Sequence, residues 1–398
     1  MSKIATRIPL GDLDPCGSRQ AGRRSGLALT DEGPAVGLAD GSVRAFDSKG
    51  NERWSLSGEG SAITLVPFAD GVLVGERSKR GGIRFISDGE ERWRHDAADV
   101  IGDPAKETRF FLPMVVDAAV AGDTACVAAR RYERQDGGRH FESSVYALAP
   151  DGSIRWRYDA DASPISLAPF GDGLAVAYNR CPGTHDGGLV VLDSNGEEAW
   201  TWDPEGESDE MLRRVGDVSA ADGSLFVTSH ADYRGYRLTD GAVDWRVDLG
   251  TPRSEGDRVY AYPNHVHATE SGVVFLTGNS FPEEGRETDE RHPNEQSAFG
   301  YALDGDRMWR ADTGGFSHEV ATDRDRLLVP VAQHFRDRDP SVHGWHLLDV
   351  SEGRVDGGDC EGVVTAAALD GDRRAFIEEP VRYHDDGTVL GEYALRRP

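Results

Sequence analysis

Two histidines two positions apart, His265 and His267, are the residues whose types and spacing most directly suggest chemistry. Alternate residues of a β-strand project to the same face, so both imidazoles would point to one side of a strand. Such a pair can supply two ligands to a metal ion, with His318 or His334 as a third. The sequence does not show that three ligands meet, so we predict no metal site and keep this arrangement as an alternative.

Further polar side chains recur where predicted strands begin or end. Guanidinium, amide and imidazole groups can donate hydrogen bonds to an anionic or polar ligand. The candidate binding residues, expected around the mouth of a central channel, are Arg130, Asn179, His230, His265, His267, Asn279, His318 and His334. The alternative is that these side chains hydrogen bond with neighbouring loops and with one another.

The motifs of two large enzyme classes are absent from the sequence. It contains neither the Gly-x-x-x-x-Gly-Lys-Ser/Thr loop that binds phosphates nor the Gly-x-Ser-x-Gly elbow of hydrolases. Ser317 precedes His318, but adjacency in sequence does not produce the geometry of a catalytic triad. The 70 Asp and Glu residues are too numerous to single out an acid–base pair. We therefore predict no catalytic residues.

One hairpin pattern organises the chain. In Val145–Trp156 an alternating strand runs into the turn Pro150-Asp151-Gly152, and a second strand ends at Trp156. Asp and Gly adopt turn conformations that bulky residues cannot. The copies of this hairpin end at tryptophans 54, 93, 156, 200, 245 and 309. We interpret Trp345–Val355 as a seventh copy without the tryptophan and Arg382–Tyr393 as a degenerate eighth.

The spacing of these copies is typical of the four-stranded blades of a β-propeller. From about Ser25 to Leu395 the copies resemble the repeat of the pyrroloquinoline-quinone-like (PQQ-like) propellers, Ala-x-Asp-x-x-Thr-Gly-x-x-x-Trp. The resemblance implies an all-β propeller of four-stranded antiparallel blades, eight in number or alternatively seven, with each Trp docked between blades. Quinone-dependent dehydrogenases of this broad fold are longer and carry adjacent cysteines, which this chain lacks, so we expect no PQQ or other cofactor.

The predicted domain organisation is a single propeller over residues 25–398. Residues 1–24 are either an extension or a strand that closes the ring. We name the four strands of a blade A to D from the inside outwards, so that the A–B and C–D turns lie on one face. The insertions then all fall on the other face, at 97–113, 131–143, 180–187, 203–214, 251–263, 280–298 and 335–344. We call it the loop-rich face and predict that it is the working surface. The apolar run Phe110–Met114 is expected to be core.

The charge distribution restricts the choice of partners. The net charge is −26, and only four of the 44 basic residues are lysines. This composition resembles that of proteins from salt-accumulating, halophilic archaea, whose carboxylates are screened at molar salt. Nucleic acid is an unlikely partner because its binding needs a basic surface. We find no secretory signal and no apolar run long enough to span a membrane, and expect a cytoplasmic protein.

These observations favour a non-catalytic scaffold or adaptor that binds a protein or peptide partner through the loop-rich face. The implied analogy is with related propellers that act as assembly lipoproteins of bacterial outer membranes. The alternative is a protein that binds a small polar ligand at the channel mouth. In that alternative the channel mouth could also serve a metal-assisted hydrolase or lyase.

Overall fold

The predicted repeats fold as four-stranded antiparallel blades, and in seven of them the strand order follows the chain order. One backbone pairing, between Met114 and Arg77, joins blades 2 and 3 into a continuous sheet. The computed structural model describes residues 6–17, 22–185, 187–204, 214–253, 258–284, 288–332, 339–383 and 387–397. Within these ranges the sheets form eight blades, as the sequence predicted. The inner A strands contact one another around the ring and line the central channel.

The strand bounds follow the chain from β1 to β35. Strands β1 and β2 are Thr6–Pro9 and Cys16–Gly17. Blades 1 to 4 comprise β3–β6 (Gly26–Thr30, Gly33–Gly37, Val43–Phe46, Glu52–Leu56), β7–β10 (Ser61–Phe68, Gly71–Arg77, Gly82–Ser87, Glu90–Asp96), β11–β14 (Met114–Ala121, Thr124–Gln135, Gly138–Leu148, Ile154–Ala160) and β15–β18 (Ser163–Phe170, Gly173–Arg180, Leu189–Leu192, Glu198–Trp202).

Blades 5 to 7 comprise β19–β22 (Val215–Ala221, Ser224–Ser229, Arg234–Thr239, Ala242–Asp248), β23–β26 (Val259–Thr269, Gly272–Pro282, Ser297–Tyr301, Arg307–Asp312) and β27–β30 (Ala321–Asp323, Arg326–Val331, Gly344–Asp349, Gly353–Asp359). The remaining strands are β31–β35 (Val363–Asp370, Arg373–Glu379, Val381–Arg382, Val389–Leu390, Ala394–Arg397). A short helix α1 covers Ala98–Ile101, and a 3-10 turn covers Pro340–Val342. No helix in the described ranges is long and apolar enough to cross a membrane.

The eighth blade is built from both ends of the chain. Strands β31, β32 and β35 provide its A, B and C strands, and β1 pairs antiparallel with β35 as the outermost strand. The assignment of Arg382–Tyr393 to the outer hairpin of the eighth blade is therefore wrong. Where that segment is described, it connects β32 to β35 and lies outside the blade, with Arg382 of β33 paired antiparallel with Val389 of β34 and β2 parallel to β33.

Each closing tryptophan covers the glycine in the C–D turn of the next blade, which explains why the two residues recur together. Gly152 has φ +84°, and a Cβ built on it would lie 2.6 Å from Cγ of Trp93. The same contact joins the pairs Trp54–Gly89, Trp156–Gly196, Trp200–Gly241, Trp245–Gly305 and Trp309–Gly353. The indole N–H of Trp93 also donates to the carbonyl of Pro150 at 2.9 Å. Both the positive φ and the ring require glycine.

The missing seventh and eighth tryptophans have a structural reason. Blade 8 has no C–D turn, because its C strand ends the chain and its D strand begins it. In blade 7, Asp356 occupies the position in the strand pairing that a tryptophan occupies in blades 1 to 6. Its carboxylate forms an ion pair with Arg374 of blade 8 at 2.7 Å. On β1, Ile8 covers Gly50 of blade 1 in place of an indole.

The two faces of the disc differ as predicted. All eight A–B turns contain two residues, as the pairing of Phe68 with Gly71 and of Phe170 with Gly173 illustrates. The segment 131–143, however, is not a loop. It extends β12 and β13 beyond the blade as a paired hairpin with register Arg131 to Glu142 through Gln135 to Gly138.

Candidate functional site

A β-bulge in the A strand aims one polar side chain of most blades towards the channel. The strand register shifts just before Thr64, Asp117, Ser166, Asp217 and His265, in blades 2 to 6 in turn. A bulge inserts one unpaired residue and turns the next side chain. These five residues therefore occupy equivalent places in consecutive blades.

The two aspartates connect neighbouring blades through backbone N–H groups. Asp117 accepts from the N–H of Leu167 in blade 4 at 2.8 Å and from Ala118 at 2.9 Å. Asp217 accepts in the same way from Val266 in blade 6 at 2.8 Å and from Val218 at 2.9 Å. Adjacent A strands do not share a ladder, so these carboxylates satisfy N–H groups that would otherwise lack partners.

Burial strongly affects the protonation of both aspartates. It raises the pKa of Asp117 to about 7, and the nearby charge of Asp217 adds to that rise. Burial also raises the pKa of Asp217, against the lowering effect of His265, whose Nδ1 lies 3.8 Å from Oδ2 of Asp217. The channel wall thus carries two carboxyls whose pKa values burial raises, that of Asp117 to about 7.

Arg23 crosses the channel mouth from the segment that leads into blade 1. Its Nη1 lies 2.5 Å from Oε2 of Glu319, which precedes blade 7. Its Nη2 donates to Oγ1 of Thr64 in blade 2 at 2.8 Å. The guanidinium of Arg23 therefore links the start of blade 7 to blade 2, across blades 8 and 1.

Arg24 makes a second ion pair beside the first. Its Nε donates to Oε2 of Glu379 at 2.8 Å, at the end of strand B of blade 8. The other carboxylate oxygen of Glu379 accepts from the hydroxyls of Ser25 at 3.0 Å and Thr365 at 2.9 Å. Glu379 is thereby held by groups from blades 1 and 8.

His318 lies at this mouth in the neutral form. Burial lowers its pKa to about 4, and the positive charges of Arg23 and Arg109 contribute to that lowering. Its ring packs edge-on against Phe316, with centroids 4.8 Å apart. At neutral pH its ring can donate or accept a hydrogen bond but carries no charge.

Two of the other predicted residues meet in a chain of hydrogen bonds across three blades. Nδ2 of Asn179 in blade 4 donates to Nδ1 of His230 in blade 5 at 2.8 Å. Nε2 of His230 donates to the carbonyl of Pro263 in blade 6 at 3.0 Å. Both side chains are buried, and their contacts hold blades together.

Three further predicted residues form hydrogen bonds with groups other than Arg23, Arg24 and His318. Arg130 donates to Oγ of Ser163, and burial lowers its pKa to about 10. Asn279 accepts from Nε2 of Gln296 at 2.9 Å. His267 lies towards the opposite end of its strand, where Nε2 contacts the carbonyl of Arg324 at 2.6 Å.

The His265 and His267 rings share one face of strand β23, and both point to backbone carbonyls of the segment that forms blade 7. Nε2 of His265 contacts the carbonyl of Ser317 at 3.2 Å. Across the described residues, no group of three or more His, Cys, Asp or Glu side chains is arranged to hold a metal ion. His334 lies outside the described residues. Ligand binding by the eight candidates stays a prediction.

Sequence reasoning missed the arginines of the mouth: Arg23, Arg24, Arg77 and Arg109. A signal for Arg77 was present in the repeat, because Arg77 and Arg130 lie at equivalent levels of the B strands of blades 2 and 3, and both pair with Met114. Arg23, Arg24 and Arg109 lie in connecting segments, where no repeat pattern indicates their position.

The loop-rich face carries an aromatic cluster at blade 3, in which Phe111, Tyr132 and Phe141 are in ring contact and Phe110 precedes Phe111 in the chain. Tyr132 contacts Phe111 and Phe141, with ring centroids 5.2 and 5.3 Å away. Phe110 is 68% exposed, so its predicted place in the core is wrong. Cations lie against these rings: Lys106 over Phe111, Arg109 over Phe110 and Arg130 over Phe141.

A second aromatic cluster lies on the same face at blades 5 and 6. Tyr233 stacks on Tyr260 with centroids 4.3 Å apart, and Tyr262 and Phe281 pack beside them. Tyr233 has φ 61°, a strained backbone for a residue with a side chain. These half-buried rings present flat apolar surface next to hydroxyl groups.

A protein-family model matches residues 119–280, from strand A of blade 3 to strand B of blade 6. This family, PQQ_2, is described as outer membrane protein assembly factor BamB. No curated protein matches the chain in sequence. The family match supports the resemblance of the repeats to the PQQ-like type.

Solved structures of diverse proteins share the fold. BamB from Moraxella catarrhalis superposes with a TM-score of 0.56 at 13% identity, covering 100% of this chain and 98% of that chain. The computationally designed Ika8 protein gives 0.54 at 12% identity, covering 95% and 98%. A europium-containing methanol dehydrogenase gives 0.53 at 10% identity, covering 95% and 91%. These likenesses establish a β-propeller and leave function to the site.

Proposed function

We propose that this protein is a non-catalytic scaffold that binds a protein or peptide partner through its loop-rich face. The observation that carries the proposal is the aromatic cluster at blade 3, where Phe110 is 68% exposed beside the paired hairpin of β12 and β13. Exposed aromatic rings next to arginines are typical of the residues that dominate binding energy in protein interfaces.

The charges around this cluster indicate the chemistry of the partner. Lys106, Arg109 and Arg130 each lie over one of its rings in a chain whose net charge is −26. A local basic surface on an acidic protein selects acidic segments and repels basic ones. The partner we propose therefore presents apolar side chains flanked by Asp or Glu.

The description of the matching family as an outer membrane protein assembly factor supports a role in assembly rather than catalysis. We place the protein in the cytoplasm of a halophilic archaeon and propose that it works without PQQ. The acidic composition supports the halophilic origin. The sequence lacks the adjacent cysteines of quinone-dependent dehydrogenases, which supports a role without PQQ.

The test combines partner capture with matched variants. Partners are captured at molar KCl from a lysate of the source organism, identified, purified and titrated against the wild-type chain. Phe110→Ser and Tyr132→Ser are expected to weaken binding of the purified partner about tenfold or more each, since each removes a ring from the cluster.

The control is Val243→Ser, which changes an equally apolar, exposed residue on the outer strand of blade 5. It should leave the affinity unchanged. The proposal is contradicted if the partner binds the Phe110 and Tyr132 variants with wild-type affinity. It is also contradicted if only the Val243 variant loses binding.

A further inference from the structure

Four arginines converge on one side of the channel mouth, from three different parts of the chain. Arg23 and Arg24 precede blade 1, Arg77 ends strand B of blade 2, and Arg109 lies in the connection to blade 3. Nη2 of Arg77 donates to the carbonyl of Arg23 at 3.1 Å. Arg109 lies against the residue before Arg23, because its Nη1 is 3.1 Å from the position that a Cβ on Gly22 would occupy.

Arg77 lacks a carboxylate partner among the described residues, unlike Arg23 and Arg24. Glu319 pairs with Arg23, and Glu379 pairs with Arg24. Arg77 forms no ion pair with any carboxylate of the described residues. Its pKa falls to about 10 through burial and through the charges of Arg109 and Arg23. Such a concentration of positive charge is unexpected in a chain with 70 acidic and 44 basic residues.

One donor at the mouth is also unsatisfied. Nη2 of Arg24 is buried and has no hydrogen-bond partner among the described residues, although Nε and Nη1 of the same group are bonded to Glu379 and to the carbonyl of Asp14. A buried N–H without an acceptor destabilises the folded state, and more so in a charged group. Ion pairing within the protein does not account for the unbonded Nη2 of Arg24 or for the placement of Arg77 at the mouth.

The outer part of the cluster faces solvent. The side chains of Arg23 and Arg24 are 22% and 20% exposed, and Arg109 is exposed. Guanidinium groups bind carboxylate and phosphate through paired N–H donors, and they do so most strongly where water is partly excluded. Neutral His318 beside them adds a hydrogen-bonding group without changing the charge.

We propose that Arg24, Arg77 and Arg109 form a binding site for the oxyanion of a small molecule, a carboxylate or a phosphate, at the channel mouth. This site does not depend on partner docking. It uses the side of the mouth formed by blades 8, 1 and 2 together with Arg109, whose guanidinium also lies over Phe110 of the docking cluster. The ion pairs of Arg23 and Arg24 hold the site open and in place.

The experiment titrates succinate and inorganic phosphate into the full-length protein by calorimetry, at ionic strength held constant with KCl. Arg77→Gln and Arg109→Gln are compared with Arg155→Gln, whose guanidinium pairs with Asp123 away from the mouth. We expect saturable binding of at least one anion, weakened about tenfold or more by each mouth variant and unchanged by the control.

The two anions distinguish the sources. Binding of succinate alone assigns the site to a carboxylate, and binding of phosphate alone assigns it to a phosphate ester. If Arg77→Gln fails to fold, the exposed Arg109 variant decides. The proposal is overturned if neither anion binds saturably to the wild type, or if the folded mouth variants bind as the wild type does. Arg77→Gln leaves the docking rings unchanged, so a failure of anion binding in this variant is distinguishable from a failure of docking by the Phe110 and Tyr132 variants.

Discussion

Arg23 and Glu319 form an ion pair of 2.5 Å although 296 positions separate them in the chain. Arg23 follows the segment that leads from the outer strand of blade 8 to the inner strand of blade 1, and Glu319 precedes blade 7. The pair therefore fixes the closing segment of the ring at the channel mouth. Closure of this propeller rests on side-chain charges at the axis as well as on the β1–β35 ladder at the rim.

We expect Arg23→Gln to lower the free energy of unfolding by about 1 to 3 kcal/mol, because Glu319 would remain largely buried without its cation. Adding Glu319→Gln should restore part of the loss, which a double-mutant cycle in chemical denaturation measures. Arg157→Gln, which breaks an exposed pair with Asp159, should change stability by no more than about 0.5 kcal/mol. Strict additivity of the two mouth substitutions would show that the pair does not stabilise the ring.

Gly152→Ala should be strongly destabilising, by about 3 kcal/mol. The substitution would strain a backbone with φ +84° and place a Cβ 2.6 Å from Cγ of Trp93. Gly171→Ala is the matched control, since Gly171 has φ +60° but nothing within 4 Å of the added Cβ. It should cost about 1 kcal/mol. Equal losses in thermal or chemical unfolding would mean that the indole contact imposes no constraint.

The Trp–Gly contact explains why the fold could be predicted from the sequence. It is local to adjacent repeats, so it leaves a regular spacing of Trp and of the turn glycine in the chain. Ring closure left no such spacing, because β1 and β35 come from opposite ends and carry no tryptophan. The exposure of Phe110 was also missed, since composition does not show which side of an apolar run meets solvent.

The candidate site could be predicted only in part, because several of its residues lie outside the repeat pattern. His318 lies close enough to Arg23 for that charge to lower its pKa, and binding of a ligand by the expected residues stays a prediction. The arginines were missed because they reach the mouth from connecting segments, through contacts with residues far away in sequence. The histidines were visible because they lie on strands whose periodicity is readable.

Asp117 should make the protein less stable as pH rises from about 4 to about 7. Its pKa rises from 3.8 to about 7 on folding, so the folded state binds more protons than the unfolded state in this range. The contribution is present at the acidic end, is lost as pH approaches 7, and amounts to at most about 4 kcal/mol.

The Asp117→Asn variant should lose this part of the pH dependence when unfolding is followed from pH 4.5 to 8. Asp123→Asn is the control, because the hydrogen bond from Arg155 lowers the pKa of that exposed carboxyl. Its stabilising effect is lost only below the usual Asp range, so its slope from pH 4.5 to 8 should match that of the wild type. An Asp117 variant with the wild-type slope would refute the assignment.

Salt should stabilise the protein if its composition reflects a saline cytoplasm. The net charge of −26 lies on a single disc, and at molar salt the Debye length of about 3 Å screens the carboxylates from one another. At about 0.1 M the screening length grows to about 10 Å, so repulsion between neighbouring blades increases. We therefore expect the melting temperature to fall steadily as KCl is lowered from molar concentration to about 0.1 M. Potassium glutamate should act like KCl, because the effect depends on ionic strength rather than on chloride. A melting temperature that is unchanged over this range would contradict the halophilic origin, and a recovery only with chloride would indicate a specific anion site instead.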